Sequence, residues 1–291
     1  MIDFEAICER YALGELQVAA PLKPGTVAQV WKLETIKGSF VLRTLTGKDQ
    51  GKKEQTIHQH LMKKHFARCP AAILTGESEP FLDLGGTWYQ VQGFLSGGMP
   101  DPAAPGVAGA IARTVGEMTA ALSDCPFVDG TDRFDLAAAW KEGRKFWPSL
   151  ETDYTLQQAE HEVFRCCVIP EQDIQVIHGD LGPWNMIDNG HGAIFVIDFG
   201  EARMGDPYFD LASALGGIIN HTPADLRQPV CQEFLDELAP DRQRLLDQLR
   251  LWVWRGLAQW AILAGKGISG ARMAARFCNA LKWAEENIYD L

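Results

Sequence analysis

His178-Gly-Asp180-Leu-Gly-Pro-Trp-Asn185, with Ile197-Asp198-Phe199-Gly200 a short way downstream, decides how this chain is read. Gln175-Val176-Ile177 leads in as a short apolar strand. Met186-Ile187-Asp188 and Ala193-Ile194-Phe195-Val196-Ile197 flank Asn189-Gly190-His191-Gly192, which spells two strands around an Asn-Gly hairpin turn. A hairpin returns the chain on itself, so Asn185 and Asp198 are expected at the same end of adjacent strands, beside Asp180. Two carboxylates and a carboxamide then converge. Mg²⁺ is a hard cation that takes a few oxygen ligands and keeps water for the rest, so Asn185 and Asp198 suit it. A lone His-x-Asp is usually a loop, and a lone Asp-Phe-Gly is usually a turn. Their shared hairpin makes coincidence the poorer explanation.

Asp180 and Asn185 have the H-x-D-x-x-x-x-N spacing of a kinase catalytic loop. In such loops the Asp takes the acceptor hydroxyl's proton and the Asn binds magnesium, while the Asp of Asp-Phe-Gly holds the metal that bridges the ATP phosphates. Asp180 is therefore the candidate base, and Asn185 and Asp198 are candidate metal ligands.

At 291 residues the chain suits one bilobal unit or two smaller domains, and a hydrophobic share of 46% allows a sizeable core. No segment approaches the roughly 20 apolar residues of a membrane span. The start, Met1-Ile-Asp-Phe-Glu-Ala, lacks the basic flank and apolar run of a secretion signal. Seven cysteines without C-x-x-C spacing read as reduced thiols of a cytoplasmic protein. A net charge of −11 argues against nucleic acid as a partner, because that binding needs basic patches. Oligomeric state is not legible.

A first helix is expected over 3–13, with Asp3 as cap and Gly14 as stop, then strands at 17–21, 28–35 and 39–45. A helix follows at 52–66, and two strands, 72–74 and 87–95, surround a Gly85-Gly86 turn. Gly97-Gly98-Met-Pro100-Asp-Pro102 breaks the pattern. Beyond it apolar residues recur at helical spacing over 107–122, 136–146, 156–168, 211–219, 229–238, 242–265 and 270–289. The expectation is an α+β chain: a small antiparallel-sheet lobe (1–95) and a larger, mainly helical lobe (96–291) that carries the hairpin.

The chain resembles the aminoglycoside phosphotransferase, choline kinase and homoserine kinase superfamily, small-molecule kinases of protein-kinase-like fold. His178-Gly-Asp180-Leu-x-Pro-x-Asn185, Ile197-Asp198-Phe-Gly and Gly205-Asp-Pro-Tyr-Phe-Asp210-Leu-Ala carry the resemblance, and His-Gly-Asp favours the small-molecule branch. It implies a nucleotide loop at Lys23-Pro-Gly25-Thr26, whose Gly25 and Thr26 offer backbone N–H groups to phosphate. In place of a phosphate-gripping lysine on the third strand stands Arg43, which can hold phosphate through two N–H groups. Glu54 is its implied counter-ion, against the plainer reading of a solvated helix charge. Gln92, Phe94 and Leu95 form the implied hinge beneath the base. Backbone contacts do not discriminate purines, so ATP is implied as donor and GTP stays open.

His178 reads as a loop-holding hydrogen-bonder. Asp210 reads as a helix cap that, by resemblance, also steadies the catalytic loop. His58, His60 and His65 read as surface histidines. Trp252 and Trp260 sit at a spacing that is usually core, yet by resemblance they wall the acceptor pocket. Glu201 and Asp206 are candidate partners for a substrate amine. The resemblance implies an ATP- and Mg²⁺-dependent kinase acting on a hydroxyl of an aminoglycoside-, choline- or homoserine-like acceptor. The alternatives are a protein serine/threonine kinase, which the short stretch from Gly200 to Asp210 disfavours, and a nucleotide-binding pseudokinase.

Overall fold

The computed structural model describes residues 2–22, 29–70, 72–126 and 135–291. Helix α1 (Phe4–Arg10) is capped by Asp3, whose carboxylate accepts the Ala6 N–H at 2.9 Å. Then come β1 (Leu16–Pro21), β2 (Val30–Thr35), β3 (Gly38–Leu45), α2 (Lys48–Lys63), β4 (Ala72–Ile73), β5 (Leu82–Leu84) and β6 (Thr87–Gly93). The sheet runs β1-β2-β3-β6-β4 with β5 on β6, every pair antiparallel. Strand β5 was not expected. Helix α2 starts four residues before its expected start at Lys52. There the Gln50 side chain accepts from both Thr46 N (2.9 Å) and Thr46 Oγ1 (2.8 Å), closing the first turn.

Alternation along the strands sorts the two faces of the sheet. Leu33, Leu42 and Val91 pack with Ile7 and Cys8 of α1 and with Tyr11 just beyond it, and the Tyr11 hydroxyl donates to Tyr89 O at 3.0 Å. Arg43, the neighbour of Leu42, leaves β3 on the other face.

The rest of the chain comprises α3 (Val107–Leu122), α4 (Leu136–Gly143), α5 (Leu156–Cys167), β7 (Gln175–Ile177), β8 (Met186–Asp188), β9 (Ile194–Val196), β10 (Arg203–Gly205), α6 (Tyr208–His221), α7 (Arg227–Leu238), α8 (Arg242–Gly265) and α9 (Ala271–Asn287). Helix α4 stops before its expected end, passing into a 3-10 stretch that contains Pro148. A second apolar core forms around α8 and reaches across to Ile57 and Leu61 of α2. The chain leaving β6 bonds back to the hairpin, through Gly98 N–H to Asp188 O (3.2 Å) and Asp188 N–H to Gly98 O (2.8 Å). Gly97 makes that approach possible: it has φ of 143°, and a Cβ there would stand 2.1 Å from Asp188 O. All seven cysteines are unpaired. No described helix is long and apolar enough to cross a membrane.

His58 is not a surface histidine. The inward stripe of α2 is Glu54, Ile57, His58 and Leu61, leaving His65 exposed. The His58 ring meets Phe199 edge-on at 5.1 Å, and neither ring nitrogen has a hydrogen-bond partner. Burial, with smaller repulsions from Arg43 and His178, pulls its pKa down to about 4. A neutral His58 thus contributes stability above the unfolded value near 6.5, and this is lost as pH falls toward 4. In thermal melts, His58→Leu is expected to flatten that acid limb, a difference of roughly 3 kcal/mol at pH 4. Equal acid sensitivity in parent and variant would refute it.

Candidate active site

Strand β7 delivers the chain into His178-Gly-Asp180. His178 is fully buried; its Nε2 bonds Ile197 O at 2.9 Å and its Nδ1 accepts the Asp180 N–H at 3.3 Å. A carbonyl only accepts, so Nε2 donates that bond. The N–H groups of His178 and Gly179 donate to the two carboxylate oxygens of Asp210, at 2.7 and 2.9 Å. Asp210 lies inside the first turn of α6 rather than at its cap, so its carboxylate clamps the loop instead of closing the helix. Burial pushes that carboxyl up, against the pull of His178 and the two amides.

Gly179 has φ of 81°, and a Cβ would stand 2.3 Å from Arg203 Nη1 and 2.4 Å from Glu201 O. The residue between His and Asp must therefore be glycine here: β10 pairs Arg203 with Ile177 and fills the space. Gly179→Ala combines a left-handed backbone with a backbone clash. It is expected to cost more than the roughly 1–2 kcal/mol of the conformational term alone, read as a lowered Tm. An unchanged Tm would show that the loop gives way freely.

Asp180 Oδ1 accepts from Trp184 Nε1 (3.3 Å) and its Oδ2 from Asn185 Nδ2 (2.9 Å), which also bonds Asp180 O (2.8 Å). With its NH₂ engaged, Asn185 keeps its amide oxygen as a free acceptor type. Burial pushes the Asp180 carboxyl up, opposed by His178 and the Trp184 bond. The hairpin closes through Ile197 N–H to Asn185 O at 2.9 Å, which sets Asn185 beside Asp198 as expected. Asp198 sits at φ 64°, ψ 69°, and its side chain is about half exposed (54%). A half-exposed carboxylate beside an amide oxygen is a hard donor set that fits Mg²⁺. Among the described residues there is no group of three His, Cys, Asp or Glu that would suit a metal needing more protein ligands.

Arg43 joins the sheet to this loop. Its Nη2 pairs with Glu54 Oε1 at 2.5 Å and its Nη1 with Asp198 Oδ1 at 3.2 Å. Glu54 is fully buried, which excludes a solvated helix charge, and Gln50 Nε2 donates to the same oxygen at 2.8 Å. Burial would lower the Arg43 pKa, but Glu54 and Asp198 outweigh it and hold the guanidinium charged. Lys53 ties α2 to the same loop by donating to Gly200 O and Ala202 O, both at 2.8 Å. Gly25 and Thr26 lie outside the described residues. Gln92 pairs within the sheet and its amide donates to Gln90 (3.0 Å). The Phe94 N–H is taken by Ser39 O at 3.2 Å, so it is not available to a base; Leu95 lies beyond the last strand residue.

A cavity of about 190 Å³ opens beside Asp180, walled by Trp184, Trp252, Trp260 and Phe277, with Arg255 and Gln259 also in its lining. Trp252 and Trp260 thus line the same cavity as the candidate base. Trp184 and Phe277 were missed; the one available signal was an indole at a variable position inside the loop motif. One expectation is corrected. Asp206 is buried and bonds Arg244 through both oxygens (2.7 and 3.2 Å), so its charge is already answered. Glu201 ends a 3-10 turn, and neither residue is in the lining of this cavity.

The sequence model of the phosphotransferase enzyme family (APH) matches residues 18–260. No curated protein matches the chain in sequence. Among solved structures, amicoumacin kinase hAmiN, in complex with AMP-PNP, Ca²⁺ and Ami, is 14% identical with a TM-score of 0.72, over 98% of this chain and 94% of that one. Spectinomycin phosphotransferase APH(9)-Ia, with ADP and spectinomycin, is 14% identical with a TM-score of 0.72, over 99% and 98%. Choline kinase LicA from Streptococcus pneumoniae is 15% identical with a TM-score of 0.62, over 96% and 98%. At such identities the likeness is one of fold: the kinase-like α+β architecture that the sequence predicts.

Proposed function

The chain belongs to the phosphotransferase enzyme family, and from that membership we propose that it phosphorylates a hydroxyl of a small molecule, using ATP and Mg²⁺. The nucleotide-binding lobe would be residues 1–95 and the catalytic and acceptor-binding lobe 96–291. The observation that carries the reading is one convergence: Asp180, Asn185 and Asp198 meet the buried Arg43–Glu54 pair beside a cavity large enough for a small alcohol.

Asp180 orients the acceptor hydroxyl and takes its proton; Trp184 and Asn185 keep each carboxylate oxygen in place. Asn185 and Asp198 would hold the Mg²⁺, which when bound neutralises charge on the phosphoryl group being transferred. Arg43 binds phosphate oxygens, and its buried Nε, which has no acceptor, suits an oxyanion. Little covalent chemistry falls to the protein, so positioning and charge neutralisation dominate. Between Gly200 and Asp210 the chain is taken up by a 3-10 turn, β10 and the start of α6, which leaves no long activation segment of a protein kinase. Unpaired thiols suit a reducing, cytoplasmic setting.

The test is ADP release, with ATP and with GTP, over a panel of amino alcohols, sugars and aminoglycosides. Nucleotide binding without any phosphorylated product would sink the proposal. Asp198→Ala removes a metal ligand rather than an acceptor-side group. It is expected to raise the Mg²⁺ concentration needed for half-maximal rate by about tenfold or more, a single lost charge-assisted contact being worth roughly 1.5–3 kcal/mol. Unchanged metal dependence would leave Asp198 as a turn residue.

A further inference from the structure

The two donors that hold the candidate base are anchored differently. Asn185 Nδ2 bonds both Asp180 Oδ2 and Asp180 O, and the Asn185 backbone closes the hairpin. Trp184, which donates to Asp180 Oδ1 at 3.3 Å, sits in the middle of a three-residue 3-10 turn and is 38% exposed. A half-exposed indole on so short a turn keeps its N–H on Asp180 only if packing fixes the ring.

Helices α6 and α8 supply that packing. Trp252 of α8 lies nearly parallel to Trp184 (16°, centroids 6.4 Å apart), an offset stack. Trp252 is itself held in place: Phe277 meets its ring at 4.7 Å, and a Cβ on Gly216 of α6 would stand 2.5 Å from it. At the next position, Gly217, a Cβ would stand 2.3 Å from Pro183 and 3.2 Å from the Trp184 ring. Glycine weakens a helix interior relative to alanine, and here two in succession let Trp252 and the Pro183-Trp184 turn seat directly on α6. Trp252 is 7% exposed, so protein already covers most of its surface and little is left for an acceptor to touch.

We propose that Trp252 is a positioning residue for the base, acting through Trp184, whose indole N–H it keeps on Asp180 Oδ1. The statement rests on the phosphotransferase reading. An aromatic pair favours its stacked arrangement by a factor of roughly 2–13, so loss of the stack costs less than loss of the N–H itself.

The test is a double-mutant cycle on ADP release, using whichever amino alcohol, sugar or aminoglycoside turns over fastest. It is read beside ¹⁵N spectra of the indole N–H groups. Trp184→Phe keeps a ring in the stack but loses the N–H. Its kcat is expected to fall about tenfold or more, with the acceptor KM changed by less than about threefold. Trp252→Leu should lower kcat about threefold, and Trp252→Phe, which can still stack, should retain most of the rate. In the Trp184→Phe background, Trp252→Leu should lower kcat by less than about twofold further, because the bond it serves is already gone. The Trp184 indole resonance, identified by its loss from Trp184→Phe, should move toward that of a solvated indole in Trp252→Leu. Gly216→Ala drives a Cβ into the Trp252 ring while keeping every aromatic residue, and repeats the comparison if Trp252→Leu does not fold. A raised KM at unchanged kcat would make Trp252 an acceptor wall, and losses that multiply in the double variant would make it independent of Trp184; either result overturns the proposal. If no acceptor yields ADP with the parent protein, the phosphotransferase reading fails and the resonance alone decides. A shifted Trp184 signal in Trp252→Leu then supports the hold on Asp180, and an unmoved one overturns it.

Discussion

Asp180→Asn is expected to lower kcat by roughly 10²–10⁴-fold, the usual contribution of a positioned general base, while nucleotide affinity stays within a few-fold. The replacement is nearly isosteric and keeps an oxygen for Trp184 Nε1. It also turns an NH₂ toward Asn185 Nδ2, which now donates to Asp180 Oδ2 at 2.9 Å. Two donors then face each other, so a slight loss of metal affinity should accompany the loss of rate. ADP release at saturating acceptor, beside titration with a fluorescent nucleotide, separates the two effects. A variant that turns over like the parent would remove Asp180 from the chemistry.

Arg43→Ala is expected to lose most activity and also much stability. Each lost charge-assisted hydrogen bond contributes roughly 1.5–3 kcal/mol, so a drop in rate of tenfold or more follows. The structure adds a second cost, because Glu54 is fully buried and would be left unpaired, typically about 3–5 kcal/mol. Burial already pushes the Glu54 carboxyl up, and the variant removes the opposing pull of Arg43. A carboxyl raised in the folded state stabilises the fold when protonated, and that stability is lost as pH rises through the folded value. The Tm deficit of Arg43→Ala should therefore widen from pH 5 to pH 8, and Glu54→Gln added to it should recover stability without activity. Arg43→Lys keeps the charge but gives up the planar two-point reach to Glu54 and Asp198, and should retain a good part of the rate. If Arg43→Ala turns over ATP as fast as the parent, another cation holds the phosphates, and Lys23 is the first to examine.

What could be read early was local. The hairpin that joins Asn185 to Asp198 closes through neighbours in sequence, and turn chemistry at Asn189-Gly190 announces it. Arg43 and Glu54 were matched through the family resemblance, and the structure pairs them at 2.5 Å, eleven positions apart. Helix α8 kept its expected bounds because a 24-residue stretch accumulates enough periodicity to mark itself. Strands β5 and β10 were not read from the sequence, whereas β7 and β8, equally short, were marked by the loop motif and the Asn-Gly turn beside them.

The amino-acid sequence by itself determined the turn from β7 through His178-Gly-Asp180, the placement of Asn185 beside Asp198 and the alternation of a sheet region with a helical one, because each depends on backbone geometry within a few turns of chain. Tertiary structure decided which polar groups still have bonding capacity to offer. Asp206 looked like a partner for a substrate amine until Arg244, 38 positions away, was found bonded to it. His58 looked solvated until α2 was seen to turn it onto Phe199. Trp184 was a variable letter in a motif until Trp252, from a helix far along the chain, came to lie beside it. Valence, burial and stacking are set by what packs against a side chain, and those neighbours come from distant parts of the sequence.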